Sequence, residues 1–290
     1  MADFVTAAQY QVIWPDAAET TVTINGSNNA AHLSLDGAGI PPMTRNFMAF
    51  GQDDGGIDKG VRIEERRMVW KLLIEATTES SFDSKRDALW SIFRPLDDPL
   101  RLRVTKANGD VRQIDFFVDG PIEVATGPGY LGIVTVPLVA PDPLWYEPTL
   151  RSGTMATWPS TAFLATMPYG AYGATWHEWP VVKITGPVTD LEITNELATG
   201  IYLGHIDFRG HSIPAGATYT VDLRPGKKTV VDHLGANKLT ALSSFHRLQY
   251  FRFYAEPQKV GGVNTLTIRH AGVGAGAQIV FERYSRYIAL

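Results

Sequence analysis

A chain of 290 residues is long enough for two domains with a core each, and 44% hydrophobic against 19% charged residues is the balance of a folded protein rather than a disordered one. Cysteine is absent, which excludes disulfides, thiolate nucleophiles and Cys-ligated metal sites together. The net charge of −4 is unevenly spread: residues 1–148 hold 13 basic and 21 acidic residues, a net of −8, and the remainder 13 and 9, a net of +4. These halves are either two unrelated solvated surfaces or a sign that the first half faces something it must not hold.

Thr20-Thr21-Val22-Thr23-Ile24 alternates and stops at Asn25-Gly26, which predicts a strand and a turn. Residues 38–60 shift to Gly, Pro, Asp and Met and include Asp53-Asp54-Gly55-Gly56; a long loop is expected, serving as an exposed arm or rim contact. Residues 61–75 read as one long strand with a bulge between Glu64 and Arg67. Ser81 is expected to cap a helix in which Phe82, Leu89, Ile92, Phe93 and Leu96 form a core-facing stripe, with Pro95 as its stop. Asn108-Gly109 between two alternating runs predicts a hairpin. Residues 131–140 then form an apolar run of the kind that fills a strand buried on both faces. Pro141-Asp142-Pro143 closes it, and Leu144, Trp145 and Tyr146 anchor the exit of a first domain, 1–148.

Residues 149–179 carry Trp158, Tyr169, Tyr172, Trp176 and Trp179 among Gly, Ala, Ser and Thr. So aromatic a connector is expected to adhere to a surface, its own or a neighbour's, and with Trp145 and Tyr146 these are the candidate interaction residues. From 180 to 290, short strands at 181–184, 191–194, 202–208, 219–223, 247–254, 265–268 and 278–281 are separated by Gly, Pro or Asn, with no helical pattern. The fold class is therefore mainly β: strands of a sheet with one α-helix packed on it in the first half, then an antiparallel sandwich or jelly roll.

The search for chemistry yields little. The seven histidines are scattered without a metal-ligand spacing. Gly272-Val273-Gly274-Ala275-Gly276-Ala277 matches a loose dinucleotide fingerprint but leaves no room for the helix, strand and acidic residue that such a site needs, so it reads as a turn. Asp53/Asp54 and Asp97/Asp98 stand in loop contexts as solvated carboxylates. Arg62, Arg66, Arg67, Arg101, Arg103 and Arg112 lie on strands of an acidic half, where pairing with carboxylates fits better than nucleic-acid binding. No enzyme, cofactor or metal is expected. No apolar run reaches the roughly 20 residues of a spanning helix, and no basic then apolar leader is seen, so neither membrane insertion nor Sec export is expected.

The helix around Ser81 to Phe93, followed by Arg94-Pro95-Leu96 and Asp98-Pro99-Leu100, then Val139-Ala140-Pro141-Asp142-Pro143-Leu144-Trp145-Tyr146, resembles the distal tail proteins of long non-contractile-tailed bacteriophages. In the second half the resemblance continues through Gly186-Pro187, Ile193-Thr194-Asn195, Thr199-Gly200, Asp222-Leu223, Gly235-Ala236-Asn237-Lys238-Leu239, Gly262-Val263-Asn264-Thr265-Leu266 and the terminal Tyr284 to Tyr287. It implies an N-terminal β-sandwich with one packed α-helix, residues 1–148, that hexamerises into a ring, and a C-terminal galectin-like or jelly-roll β-sandwich, 180–290, hung outside. It also implies partners: the tail-tube protein, the hub or tape-measure assembly, and other tail-tip proteins. DNA would transit the lumen without specific binding, and an acidic lumen suits that passage because it repels phosphate. The location implied is the virion tail tip, after assembly in the host bacterial cytoplasm.

The galectin-like shape raises a second class, a module recognising host surface glycans. Sugar sites of that shape use a His/Asn/Arg/Trp/Glu constellation, and residues 180–290 contain no Trp. Tyr202, His205, Tyr250 and Tyr254 are the candidate sugar-stacking residues, with core or subunit contact as the competing reading.

Overall fold

The computed structural model describes residues 9–24, 30–49, 56–168, 174–198, 201–254 and 263–290; the Asn25-Gly26 turn, the Asp53/Asp54 pair, Tyr169 and Tyr172 lie outside them. The chain divides into two compact units, Met1–Pro148 with Tyr287–Leu290, and Thr149–Arg286.

The first unit runs β1 (Gln9–Ile13), β2 (Thr21–Ile24), β3 (Ala31–Asp36), β4 (Met43–Ala49), β5 (Gly56–Ile63), β6 (Arg66–Glu75), α1 (Glu79–Ile92), β7 (Leu100–Thr105), β8 (Val111–Val118), β9 (Glu123–Gly127), β10 (Leu131–Ala140) and β11 (Trp145–Tyr146). Its main sheet has the order β2-β1-β7-β8-β10-β6-β3. The Asn108-Gly109 hairpin forms as expected, β7 pairing β8 from Leu100↔Phe116 to Thr105↔Val111. On β6 the alternate residues Arg66, Met68, Trp70, Leu72 and Ile74 point inward, because a strand's side chains alternate between faces and one face meets the core.

Strand β10 departs from the expected burial on both faces. Val134, Val136, Leu138 and Ala140 are buried, but Leu131 and Ile133, on the other face, are 37% and 42% exposed. The run is apolar on both faces while the unit's own core covers only one. Helix α1 packs on this strand through Phe82; a Cβ added at Gly132 would stand 2.8 Å from the Phe82 ring, so the glycine makes the close approach. The N-cap is Thr78 rather than Ser81: its Oγ1 accepts from the Ser81 N–H at 3.2 Å.

Two further expectations change. The 38–60 loop contains the ribbon β4–β5, paired from Met43↔Ile63 to Ala49↔Gly56. The single strand at 61–75 is two strands in different sheets, with Glu64 and Glu65 as the break. Three of the six arginines pair as expected: Arg101 with Asp115 at 2.8 Å and Glu19 at 3.1 Å, Arg67 with Glu65 and Asp119, and Arg62 with Glu64. Arg66 does not. Fully buried, it donates to the carbonyls of Pro143 (Nε, 2.7 Å), Gly37 (Nη1, 2.8 Å), Gly39 and Ile288 (Nη2, 2.8 Å), and burial lowers its pKa to about 10. Arg103 donates to the Gln113 amide, and Arg112 to the Ala289 carbonyl while lying over the Tyr287 ring.

The second unit comprises β12 (Arg151–Met155), β13 (Ala162–Pro168), β14 (Val181–Thr185), β15 (Val188–Thr189), β16 (Glu192–Ala198), β17 (Ile201–Asp207), β18 (Ser212–Ile213), β19 (Thr218–Asp222), β20 (Thr229–Asp232), β21 (Val263–Arg269), β22 (Gly272–Val273) and β23 (Gln278–Arg283). A five-stranded sheet, β12-β23-β14-β19-β20, and a four-stranded sheet, β13-β21-β16-β17, share one apolar core that includes Val182, Ile184, Val221 and Phe281 from the former and Ile193, Ile206 and Ile268 from the latter. This is the expected sandwich. The stretch 149–179, read as a connector, supplies β12 and β13, whose Gly, Ser and Thr residues mask the strand pattern. The strand expected at 247–254 is a 3-10 turn, Leu248–Tyr250, between bridging residues Arg247 and Phe253.

Candidate functional site

The aromatic candidates are mostly internal. Trp145 is fully buried and its Nε1 donates to the Ala38 carbonyl at 3.2 Å. Tyr146 donates to Asp115 at 2.7 Å, and burial, with that carboxylate's charge, raises its phenol pKa. Trp158 donates to the Ala277 carbonyl at 2.9 Å and packs edge-on to Phe163 and His270. Trp176 and Trp179 flank His177, with ring centroids 4.8 and 4.5 Å away, and Arg286 lies over the Trp179 ring. These tryptophans hold their own units together. Between the latter two, Glu178 is buried in an ion pair with Arg283 at 2.9 Å.

Of the sugar-stacking candidates, His205 lines a cavity. Tyr250 is 51% exposed, Tyr254 is buried, and the Tyr202 side chain lies outside the described residues. Tyr254 is held inward because its backbone N–H and carbonyl pair with the buried Asn264 carboxamide at 2.9 and 3.0 Å.

His205 belongs to the outer face of the four-stranded sheet. The ladders place Leu164, Thr267, Thr194 and His205 in one row across β13, β21, β16 and β17, and Ala162, Arg269, Glu192 and Asp207 in the next same-face row. The intervening row, Phe163, Ile268, Ile193 and Ile206, faces the core. Beyond β17 the chain continues the ladder: the Arg247 N–H donates to the His205 carbonyl at 2.8 Å, and the Ser243 N–H to that of Asp207 at 2.8 Å. Arg247 and, two residues earlier, Phe245 thereby join the same face.

Asp207 organises this region. Its side chain is fully buried, yet it receives Arg209 (Nε 3.0 Å, Nη2 2.6 Å) and the Ser243 hydroxyl at 2.5 Å. Burial alone would raise the carboxyl, but those hydrogen bonds outweigh it and hold its pKa at about 2. Glu192 sits 3.3 Å from His205 and 3.6 Å from Arg209. Phe245 is 67% exposed, with the Arg209 guanidinium 5.2 Å from its ring centroid. Two adjoining hollows of about 290 and 390 Å³ share Glu192, Arg209 and Arg269.

Arg209, Phe245, Arg247 and Arg269 were not singled out in the sequence. The available signal was phase: Glu192/Thr194, His205/Asp207 and Thr267/Arg269 are polar at alternate positions, opposite isoleucines. Gly204 sets the edge of this face. A Cβ there would stand 2.2 Å from the Phe251 Cα, a backbone atom that cannot swing aside. Gly204→Ala is expected to cost about 2 kcal/mol or more by forcing β17 from the 245–251 segment, which thermal unfolding would measure. Among the described residues no group of three or more His, Asp or Glu is placed to hold a metal ion, and no helix is long and apolar enough to cross a membrane.

A family model described as the phage tail protein RIFT-related domain matches residues 19–140. Among solved structures, the Dit protein of phage SPP1, described as a paradigm of the hub adsorption apparatus in phages that infect Gram-positive bacteria, is 12% identical with a TM-score of 0.62 over 95% of this chain and 98% of that one. The phage P2 baseplate in its activated conformation with Ca matches at 9% identity and a TM-score of 0.45 over 95% of this chain and 98% of that one. No curated protein sequence matches. The likeness to the Dit protein is one of fold, and together with the family match it bears out the resemblance read from the sequence.

Proposed function

We propose that this chain is a structural phage tail protein without catalysis, forming a hexameric ring that joins the tail tube to the tail tip; the match to the phage tail protein RIFT-related domain at residues 19–140 and the likeness of fold to the Dit protein support this reading. The ring is built by the first unit. The observation that carries this reading is the uncovered apolar rim of the β9–β10 hairpin: Tyr130, Leu131 and Ile133 are 46%, 37% and 42% exposed, and all three lie inside the matched domain. Burying such a patch against a neighbouring copy is favourable by about 25 cal/mol per Å² of apolar surface. The net charge of −8 over residues 1–148 suits a lumen through which DNA slides, since an acidic wall gains nothing from counterion release. Axial partners on this reading are the tail-tube protein on one side and the hub or tape-measure assembly on the other.

The test is mass in solution by light scattering on a size-exclusion column, with negative-stain images of the same peak. The expected result is a six-fold ring for the native chain and a folded monomer for Ile133→Asp, which places a charge in the contact. A native chain that stays monomeric both alone and with tail-tube protein would overturn the reading.

A further inference from the structure

We infer that the outer face of the four-stranded sheet in the second unit is a binding site for an acidic saccharide, a sugar carrying a carboxylate or phosphate. The inference is independent of ring formation. Its first support is a charge imbalance. Arg209 is neutralised by Asp207, and Glu192 is engaged by His205 and Arg209. Arg247 and Arg269, both exposed, have no ion pair or side-chain hydrogen bond among the described residues, although they line the same 290 Å³ hollow. Two guanidiniums without an anion, set beside a carboxylate that is already used, leave the hollow with surplus positive charge. A planar guanidinium matches carboxylate and phosphate oxygens in a bidentate manner, so an anionic group is the chemistry these side chains recognise.

The second support is shape and apolar surface. Phe245, 67% exposed, presents a ring at the rim of the hollow while Arg209 occupies part of its surroundings at 5.2 Å. An exposed aromatic beside polar donors receives the C–H face of a sugar ring, which is apolar, while the hydroxyls meet donors and acceptors. Thr194 supplies such a group from the sheet floor beside the engaged His205–Glu192 pair, held in register by backbone ladders. The paired hollows continue along Arg269, giving room for a chain of more than one sugar. An acidic peptide would satisfy the arginines but would make no use of the ring beside a polar floor.

The test is calorimetric titration of the full chain with glucuronic acid, glucose 1-phosphate, glucose and inorganic phosphate. Both charged sugars are expected to bind, with glucose weaker by about tenfold or more, the equivalent of one charge-assisted contact. Arg247→Gln and Arg269→Gln each lose about tenfold for the charged sugars and leave the unfolding temperature unchanged, because both side chains are exposed. Phe245→Ala weakens the sugars and leaves phosphate unaffected. Equal binding of glucose and glucuronic acid would overturn the anion requirement. Phosphate binding as tightly as glucose 1-phosphate would overturn the saccharide. Absence of heat from all four, or arginine variants that bind like the native chain, would overturn the site.

Discussion

Replacing Arg66 with methionine is expected to cost the first unit about 3 kcal/mol or more, read as a drop in the urea midpoint with an unchanged slope. The guanidinium is fully buried and lies 5.9 Å from the Trp145 ring centroid, and among the described residues no carboxylate is a hydrogen-bond partner. Its partners are carbonyls from three separate segments: the turn after β3 at Gly37 and Gly39, the exit of β10 at Pro143, and the 287–290 tail at Ile288. Methionine fills much of the volume but donates to none of them, so several buried carbonyls lose their partner at once. Lysine is expected to recover only part of the loss, because one ammonium cannot reproduce a planar fork aimed in several directions. Arg66→Met unfolding at the native midpoint would show that the carbonyls find other donors.

The second large effect is acid lability of the second unit, traced to His177. Burial, reinforced by the charges of Arg252 and Arg286, lowers its pKa from 6.5 to about 3. Its Nε2 accepts from Arg252 Nη1 at 3.2 Å, a role available only to the neutral ring. Between pH 3 and 6.5 the unfolded chain therefore binds a proton that the native protein refuses, so stability is full above 6.5 and falls as pH drops through that window. The slope is about 1.4 kcal/mol per pH unit from this one group. Asp207, with its pKa lowered to about 2, adds a loss that begins only below the ordinary carboxylate range. His177→Gln keeps an acceptor for Arg252 and removes the titration; its unfolding temperature is expected to vary much less between pH 6.5 and 4. Equal slopes for the two proteins would assign the acid sensitivity elsewhere.

The elements with strong local signals were legible in the sequence. Asn108-Gly109 specified its hairpin, the Phe82/Leu89/Ile92 stripe its helix, and alternating isoleucines the inner face of the second sandwich. What stayed hidden depends on partners that are distant or have no side-chain signature. Arg66 binds carbonyls, which every residue carries, so its position on an acidic, Arg-rich strand gave no hint of its role. Trp145 was legible as an anchor and the connector aromatics as adhering to a surface, but which surface was not; the indole donors of Trp145 and Trp158 reach carbonyls within their own units. The saccharide face needed register: Glu192, His205 and Arg269 are scattered over 78 positions, and only the ladders bring them to adjoining rows. The β4–β5 ribbon was lost because Gly, Pro and Asp outweigh its short alternation.

Arg66 and Ile288 are 222 residues apart. On the ribosome, the guanidinium must therefore wait for the whole second unit to be synthesised before its last acceptor emerges. Until then the first unit has most of its sheet but lacks its final tie. At 5–20 residues per second that interval is on the order of ten seconds or more. The first unit becomes fully stable only once Ile288 is available, so the same contact that stabilises it also delays it.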